Sequence, residues 1–201
     1  MVGIIDYGMG NVLSVKKALN KIGMDSILTA DKDEINRCSH IILPGVGSFY
    51  RAMENLHAKN LVSILRKEVK ENKKPFLGIC LGMQLLADHG YEDGETEGLG
   101  FIEGSVVPIP SHDLPIPHIG WNEVTIKCKK YFENVHDHNF YFVHSYYLDA
   151  KNESDIAATV TYGCELTAAV QKDNIFGTQF HPEKSQEEGI EVLKSFFKVN
   201  A

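Results

Sequence analysis

A chain of 201 residues, 43% apolar and 23% charged, suits one continuous core, since cores split into separate domains only beyond ~250 residues. Its net charge of −7 argues against sequence-independent binding to nucleic acid, which needs a basic patch. No apolar run reaches the ~20 residues of a membrane helix, so no membrane partner is expected either.

The first half alternates short apolar runs with amphipathic stretches. VGIID (2–6) reads as a buried strand. NVLSVKKALNKIG (11–23) follows as a helix with Val12, Val15, Leu19 and Ile22 on one face, Asn11 as N-cap and Gly23 as its stop. SILTA (26–30) and HIILP (40–44) are the next strands, 48–58 and 61–72 the next helices, and PFLGI (75–79) a strand covered on both faces. This alternation predicts a parallel sheet flanked by helices.

From Phe101 onward the pattern turns strand-rich: FIEGSVVPI (101–109), WNEVTIK (121–127), FYFVHSYY (140–147), IAATVTY (156–162), LTAAVQ (166–171) and IFGTQF (175–180). A proline-rich loop spans 108–117, and EEGIEVLKSFFKV (187–199) closes the chain as a helix. The expected fold is a single α/β domain, 1–201, with a central mixed, mostly parallel sheet and an antiparallel addition.

Cys38, Cys80, Cys128 and Cys164 are scattered without a C-x-x-C pair, which predicts neither a zinc cluster nor a disulfide framework. The opening MVGIIDYGMGN has no basic segment before an apolar one, so no signal peptide is expected and the cytoplasm is the default location. Neither a phosphate-binding P-loop nor a dinucleotide fingerprint is present, and no cofactor is expected. The HDH stretch (136–138) lacks a spaced partner cluster and reads as a polar turn; His112 and His118, in and beside the proline-rich loop, read as surface residues.

One pentapeptide carries chemistry. Gly78-Ile79-Cys80-Leu81-Gly82 has the form of a nucleophile elbow with a thiol at its apex. A strand that turns sharply into a helix strains the backbone at the nucleophile, and side chains two residues away would collide. At a helix N-terminus, unpaired N–H groups stabilise negative charge, and the Leu81 N–H is placed to donate to an oxyanion. On these five residues alone, a core cysteine beside packing glycines is an equal alternative. A nucleophile also needs a base. GTQFHPEKS (177–185) offers His181 and Glu183 at i and i+2, on one face of an extended chain, and a carboxylate beside an imidazole fixes its tautomer and stabilises its cation.

GICLGMQLL (78–86) together with FHPEKS (180–185) resembles the class I, triad-type glutamine amidotransferases. IIDYGMGNVLSV (4–15), ILPGVGSFYRAM (42–53), GLGFIEGSVV (98–107), PHIGWNEV (117–124) and YFVHSYY (141–147) narrow the resemblance to the glutaminase subunits of imidazole glycerol phosphate synthases. The resemblance implies a catalytic triad of Cys80, His181 and Glu183, with oxyanion donors at Leu81 and Val46. It implies that Gly47, Gln84, Ser145 and Tyr146 hold the substrate glutamine. Trp121, Asn122 and Lys184 match the surface that meets a (β/α)8-barrel cyclase, and Tyr141 lies near the gate between them. Two glycines flank Val46, so the Gly45–Val46 peptide can rotate and turn the oxyanion donor on or off.

Residues 87–95 read ADHGYEDGE where the family more often carries a serine- and glutamate-rich stretch. This loop-like segment is expected to lie outside the triad and to leave glutamine hydrolysis unaffected. Relatives that feed ammonia into surface-sugar modification are the alternative reading. A stand-alone cysteine hydrolase and a non-catalytic regulatory module are more distant ones.

Overall fold

The computed structural model describes residues 1–110 and 113–200. Its first half runs β1 (Val2–Ile5), α1 (Val12–Lys21), β2 (Ser26–Thr29), α2 (Lys32–Arg37), β3 (His40–Gly45), α3 (Phe49–Ala58), α4 (Leu61–Arg66), β4 (Phe76–Cys80) and α5 (Leu81–Gln84). The second half runs β5 (His89–Gly90), β6 (Thr96–Glu97), β7 (Gly104–Pro108), β8 (His118–Ile126), β9 (Asn139–His144), β10 (Tyr146–Ala150), β11 (Ile156–Tyr162), β12 (Cys164–Lys172), β13 (Ile175–Thr178) and α6 (Gln186–Val199). Among the described residues, no helix is long and apolar enough to cross a membrane.

Nine strands form one mixed sheet in the order β2-β1-β3-β4-β13-β12-β11-β8-β9. From β2 to β13 the neighbours are parallel, and from β13 to β9 they are antiparallel. Parallel neighbours need crossovers, and the crossovers put helices on both faces. Accordingly β1, β3 and β4 are buried at every position. Their alternate side chains feed two separate cores. Ile4, Ile42 and Leu77 pack with α1 and α6, whereas Ile5, Leu43 and Phe76 pack with α3 and α4. Each such fully buried aliphatic or aromatic side chain contributes about 1.5–3 kcal/mol.

The α/β class with its antiparallel addition agrees with expectation, and α1 ends at Gly23 with N–H bonds from Gly23 to Asn20 O and from Met24 to Leu19 O. Several details differ. Asn11 occupies the N-cap position without a side-chain bond. The unforeseen α2 is too short for a period to register, but the Asp31 carboxylate caps it by accepting from the Asp33 and Glu34 N–H groups. The helix expected over 61–72 changes to a π-helical turn at Lys67–Glu71, where the buried Glu68 pairs with Lys74 at 2.7 Å.

Two differences shape the site. FYFVHSYY is not one strand: it breaks at Ser145, with β9 in the large sheet and β10 in a second, four-stranded sheet ordered β10-β7-β5-β6. Apolar alternation carries across such a corner unchanged, so periodicity cannot register it. FIEGSVVPI pairs as a strand only from Gly104, because the residues before it serve α5. The N–H groups of Leu99, Gly100, Phe101 and Ile102 bond the carbonyls of Leu85, Leu86 and Ala87, which follow that one-turn helix. His118 is not a surface residue. It is 3% exposed, with its ring stacked 4.9 Å from Phe142 and 4.1 Å from Tyr162. His112 lies outside the described residues.

Candidate active site

β4 runs straight into α5 through Cys80, whose φ of 55° and ψ of −111° lie in a region a side chain rarely adopts. Such strain costs roughly 1–3 kcal/mol and persists only where the surroundings enforce it. Here β4 is held between β3 and β13. A Cβ at Gly82 would stand 1.8 Å from the Leu43 carbonyl oxygen, and one at Gly78 would stand 2.5 Å from the Gly82 oxygen. The two glycines therefore let the elbow close. Leu81 opens α5, so its N–H has no partner within the helix.

The register of β13 on β4 pairs Thr178 with Ile79, which delivers the following segment to the same sheet end as Cys80. Gln179 Nε2 lies 3.7 Å from Cys80 Sγ. His181 Nδ1 meets Glu183 Oε1 at 2.9 Å, and both side chains are buried to within 2%. The two meet around a 3₁₀ turn, Pro182–Lys184, and not across the extended run expected from the sequence. Only His181 itself is extended, as a residue before proline must be. Ser185 fastens the turn by donating to the His181 carbonyl at 2.7 Å.

Burial alone would pull the His181 imidazole down; the Cys80 sulfur and the Glu183 carboxylate outweigh it and hold it up to about 9. With Nδ1 committed to Glu183, Nε2 is the free nitrogen, and it is buried without a partner. The thiol is near enough to act on the ring, yet no hydrogen bond closes between them in this resting geometry. Cys80 Sγ instead faces the Val143 carbonyl at 3.9 Å.

Above the thiol opens a cavity of about 440 Å³, the size of a small-molecule site. Every residue assigned to the oxyanion hole or the substrate lines it: Val46, Gly47, Leu81, Gln84, Ser145 and Tyr146, with Cys80 among them. Gln84 Nε2 donates to the Tyr146 carbonyl at 2.8 Å and to Gln179 Oε1 at 3.0 Å.

A family model described as glutamine amidotransferase class-I matches residues 3–199. The chain belongs to this family. It is 48% identical over 201 residues to "Imidazole glycerol phosphate synthase subunit HisH 2" of Methanococcus maripaludis, covering 98% of this chain and 99% of that one. It is 46% identical over 202 residues to "Imidazole glycerol phosphate synthase subunit HisH 1" of Campylobacter jejuni, covering 99% and 100%. Two solved structures share the fold at low identity. A glutamine amidotransferase, 19% identical, has a TM-score of 0.78, covering 99% of this chain and 98% of that one. PurLQS from Thermotoga maritima, 20% identical, has a TM-score of 0.72, covering 98% and 97%.

In this glutamine amidotransferase two polar cavity groups, Glu92 and His144, and one group beside the thiol, Gln179, escaped the sequence reading. Glu92, in the segment expected to lie outside the triad, lines the cavity and accepts from the Phe49 N–H at 2.8 Å. Burial raises its carboxyl above the ordinary range. His144 lines the cavity as well, and Gln179 stands behind the thiol. Gln179 had a signal, two residues before His181 in GTQFHPEKS; Glu92 had only its charge.

The residues expected at a partner surface divide. Trp121 is 48% exposed and packs edge-on against Tyr141 at 6.2 Å, and Lys184 Nζ lies 5.7 Å from the Tyr141 ring. These three form one outward patch, tied to His181, whose N–H bonds the Tyr141 carbonyl at 3.0 Å. Asn122 does not join them through its amide. Its Nδ2 donates to the Thr161 carbonyl at 3.1 Å and lies 3.4 Å from His118 Nε2. An extended strand would hold positions 118 and 122 about 13 Å apart. Gly120, at a φ of +136°, bends β8 between them.

Proposed function

We propose that this chain is the glutaminase subunit of an imidazole glycerol phosphate synthase, a single-domain, cytoplasmic protein over residues 1–201. The observation that carries the reading is near-full-length identity of 46–48% to subunits bearing that name, combined with a strained thiol facing an amino-acid-sized cavity. The Cys80 thiolate attacks the side-chain amide carbon of glutamine, and the negative oxygen is met by the Leu81 and Val46 N–H groups. His181, held in its tautomer by Glu183, protonates the departing nitrogen as ammonia. Water activated by His181 then hydrolyses the glutamyl thioester, releasing glutamate and restoring the thiol. Gly47, Gln84 and the backbone of Ser145 and Tyr146 hold the substrate, and Glu92 gives the cavity an acidic wall for its ammonium group.

Ammonia released into water at neutral pH becomes mostly ammonium, which is not nucleophilic, so a partner must take it up directly. The partner in this reading is a (β/α)8-barrel cyclase that docks over Trp121, Tyr141 and Lys184. It makes imidazole glycerol phosphate and aminoimidazole carboxamide ribonucleotide. Rotation of the Gly45–Val46 peptide restrains hydrolysis until that partner is present; losing one preorganised oxyanion donor costs about 3 kcal/mol, roughly a hundredfold in rate.

The test is Cys80→Ala in the reconstituted pair. Synthesis from glutamine is expected to vanish while synthesis from added ammonium salt survives. Loss of both would give Cys80 a structural role, and synthesis only with a sugar-modifying partner would favour the alternative pathway.

A further inference from the structure

His118 and His144 meet behind the cavity wall, 3% and 5% exposed, with Nδ1 of the first 2.9 Å from Nε2 of the second. They face each other because β8 and β9 pair them directly in register. His144 then folds back on its own corner, its Nδ1 2.9 Å from the Tyr146 carbonyl. That carbonyl can only accept, so His144 Nδ1 carries the hydrogen. In the neutral ring Nε2 is bare and must accept from His118 Nδ1–H. His118 Nε2 is therefore bare in turn, and the Asn122 amide nitrogen stands 3.4 Å from it.

The chain continues on the other side. The Tyr146 carbonyl takes a second hydrogen from Gln84, Gln84 donates to Gln179, and Gln179 donates to Cys80 Sγ. Every link has one donor and one acceptor in this order. The Asn122 amide cannot turn over, because its Oδ1 accepts from the Glu123 N–H and its Nδ2 donates to Thr161. A proton added to either ring thus ends with two N–H groups facing each other, between the rings or at Asn122. Burial already lowers both imidazoles, His144 to about 4.

We infer that His118 and His144 are positioning residues for glutamine hydrolysis: a neutral hydrogen-bond chain that holds the Tyr146 carbonyl and, through Gln84 and Gln179, the substrate cradle beside Cys80. The inference rests on the glutaminase reading. His118 does not itself line the cavity and acts only through His144. Its aromatic neighbours Phe142 and Tyr162 hold the ring plane, and its Nδ1–H sets the direction of the chain.

Two substitutions separate the hydrogen bond from the packing. His118→Phe keeps a ring between Phe142 and Tyr162 but leaves His144 Nε2 unpaired. His118→Asn keeps a donor near the place of Nδ1. With the full chain and its cyclase partner, His118→Phe is expected to raise the glutamine KM roughly tenfold, the worth of about one cradle hydrogen bond to the substrate lost when the Tyr146 corner is no longer held, with a smaller change in kcat. His118→Asn should recover most of it. An unchanged KM in His118→Phe, a loss confined to kcat, or no recovery in His118→Asn overturns the positioning role. Nitrogen-15 histidine spectra of the unmutated protein at pH 7 supply an independent check. Both rings should be neutral with the hydrogen on Nδ1, and a bare Nδ1 or an imidazolium at either position overturns the chain whatever the variants do. If the unmutated protein with its partner does not hydrolyse glutamine, the functional reading fails by itself, and the spectra still decide the hydrogen-bond order.

Discussion

Two buried pairs, His181–Glu183 and His118–His144, are chemically opposite. His181 faces the Glu183 carboxylate and the thiol and is held up to about 9. His144 faces a second imidazole and a carbonyl and is driven down to about 4. Desolvation pulls both rings toward the neutral form, so the opposite directions follow from the groups around them. An anion retains a proton that burial would expel; an N–H donor on one side and a neutral carbonyl on the other do not. In the proposed mechanism the first pair carries a proton during the reaction, and the second refuses one.

The sharpest way to break this contrast is to remove charge from the first pair. His181→Ala removes the proton carrier, and glutamate release is expected to fall roughly 10⁴-fold or more. Glu183→Gln leaves the imidazole in place but takes away the anion that orients it. Its loss should be about a hundredfold milder. Rates of glutamate release, with folding checked by circular dichroism, decide; wild-type turnover in His181→Ala would remove this histidine from the mechanism.

Stability against pH reads the same contrast without catalysis. An unfolded histidine titrates near 6.5. Between about pH 6.5 and 9 the folded His181 keeps a proton that the unfolded chain has released, so its stabilisation is full below 6.5 and lost as pH rises. Between about pH 4 and 6.5 the unfolded chain binds a proton that folded His144 refuses, so its contribution is full above 6.5 and lost as pH falls. Each spans about 3 kcal/mol. Denaturant titrations of the unmutated protein, His181→Gln and His144→Gln should show the alkaline slope flattened in the first variant and the acid slope in the second. Three parallel curves would contradict both assignments.

Much of the first pair was legible in the sequence. Gly78, Cys80 and Gly82 sit within five residues, and His181 and Glu183 within three, so each motif is local; the elbow by itself leaves a packing cysteine as an equal alternative, and the two motifs together favour chemistry. The alternation of strands and helices likewise announced the parallel half of the sheet. The second pair was not legible, because His118 and His144 are 26 residues apart and meet only through the β8–β9 register. Glu92 reaches the cavity through the small sheet, whose two-residue strands β5 and β6 leave no period to read. Asn122 looked like a neighbour of Trp121 until the bend at Gly120 turned its amide toward His118.

The smallest expected effect concerns the outward patch. Trp121 is about half exposed and makes its aromatic contact with Tyr141, so the isolated chain gains little from it. Trp121→Ala should change the stability of the chain by no more than about 0.5 kcal/mol, as surface substitutions do. Glutamine turnover by the chain alone should also be unchanged, since the ring does not line the thiol cavity. Exposed tryptophan is nevertheless the residue type that most often anchors an interface, and truncating an anchor costs about 2 kcal/mol or more in binding. Partner affinity is therefore expected to drop roughly thirtyfold, the equivalent of that energy. Glutamate release measured with the chain alone and across a titration of the cyclase separates the two effects. A variant that binds and responds like the unmutated chain would move the docking surface elsewhere. An unmutated chain that already runs alone at the full rate of the complex would end the idea that the Gly45–Val46 peptide restrains it.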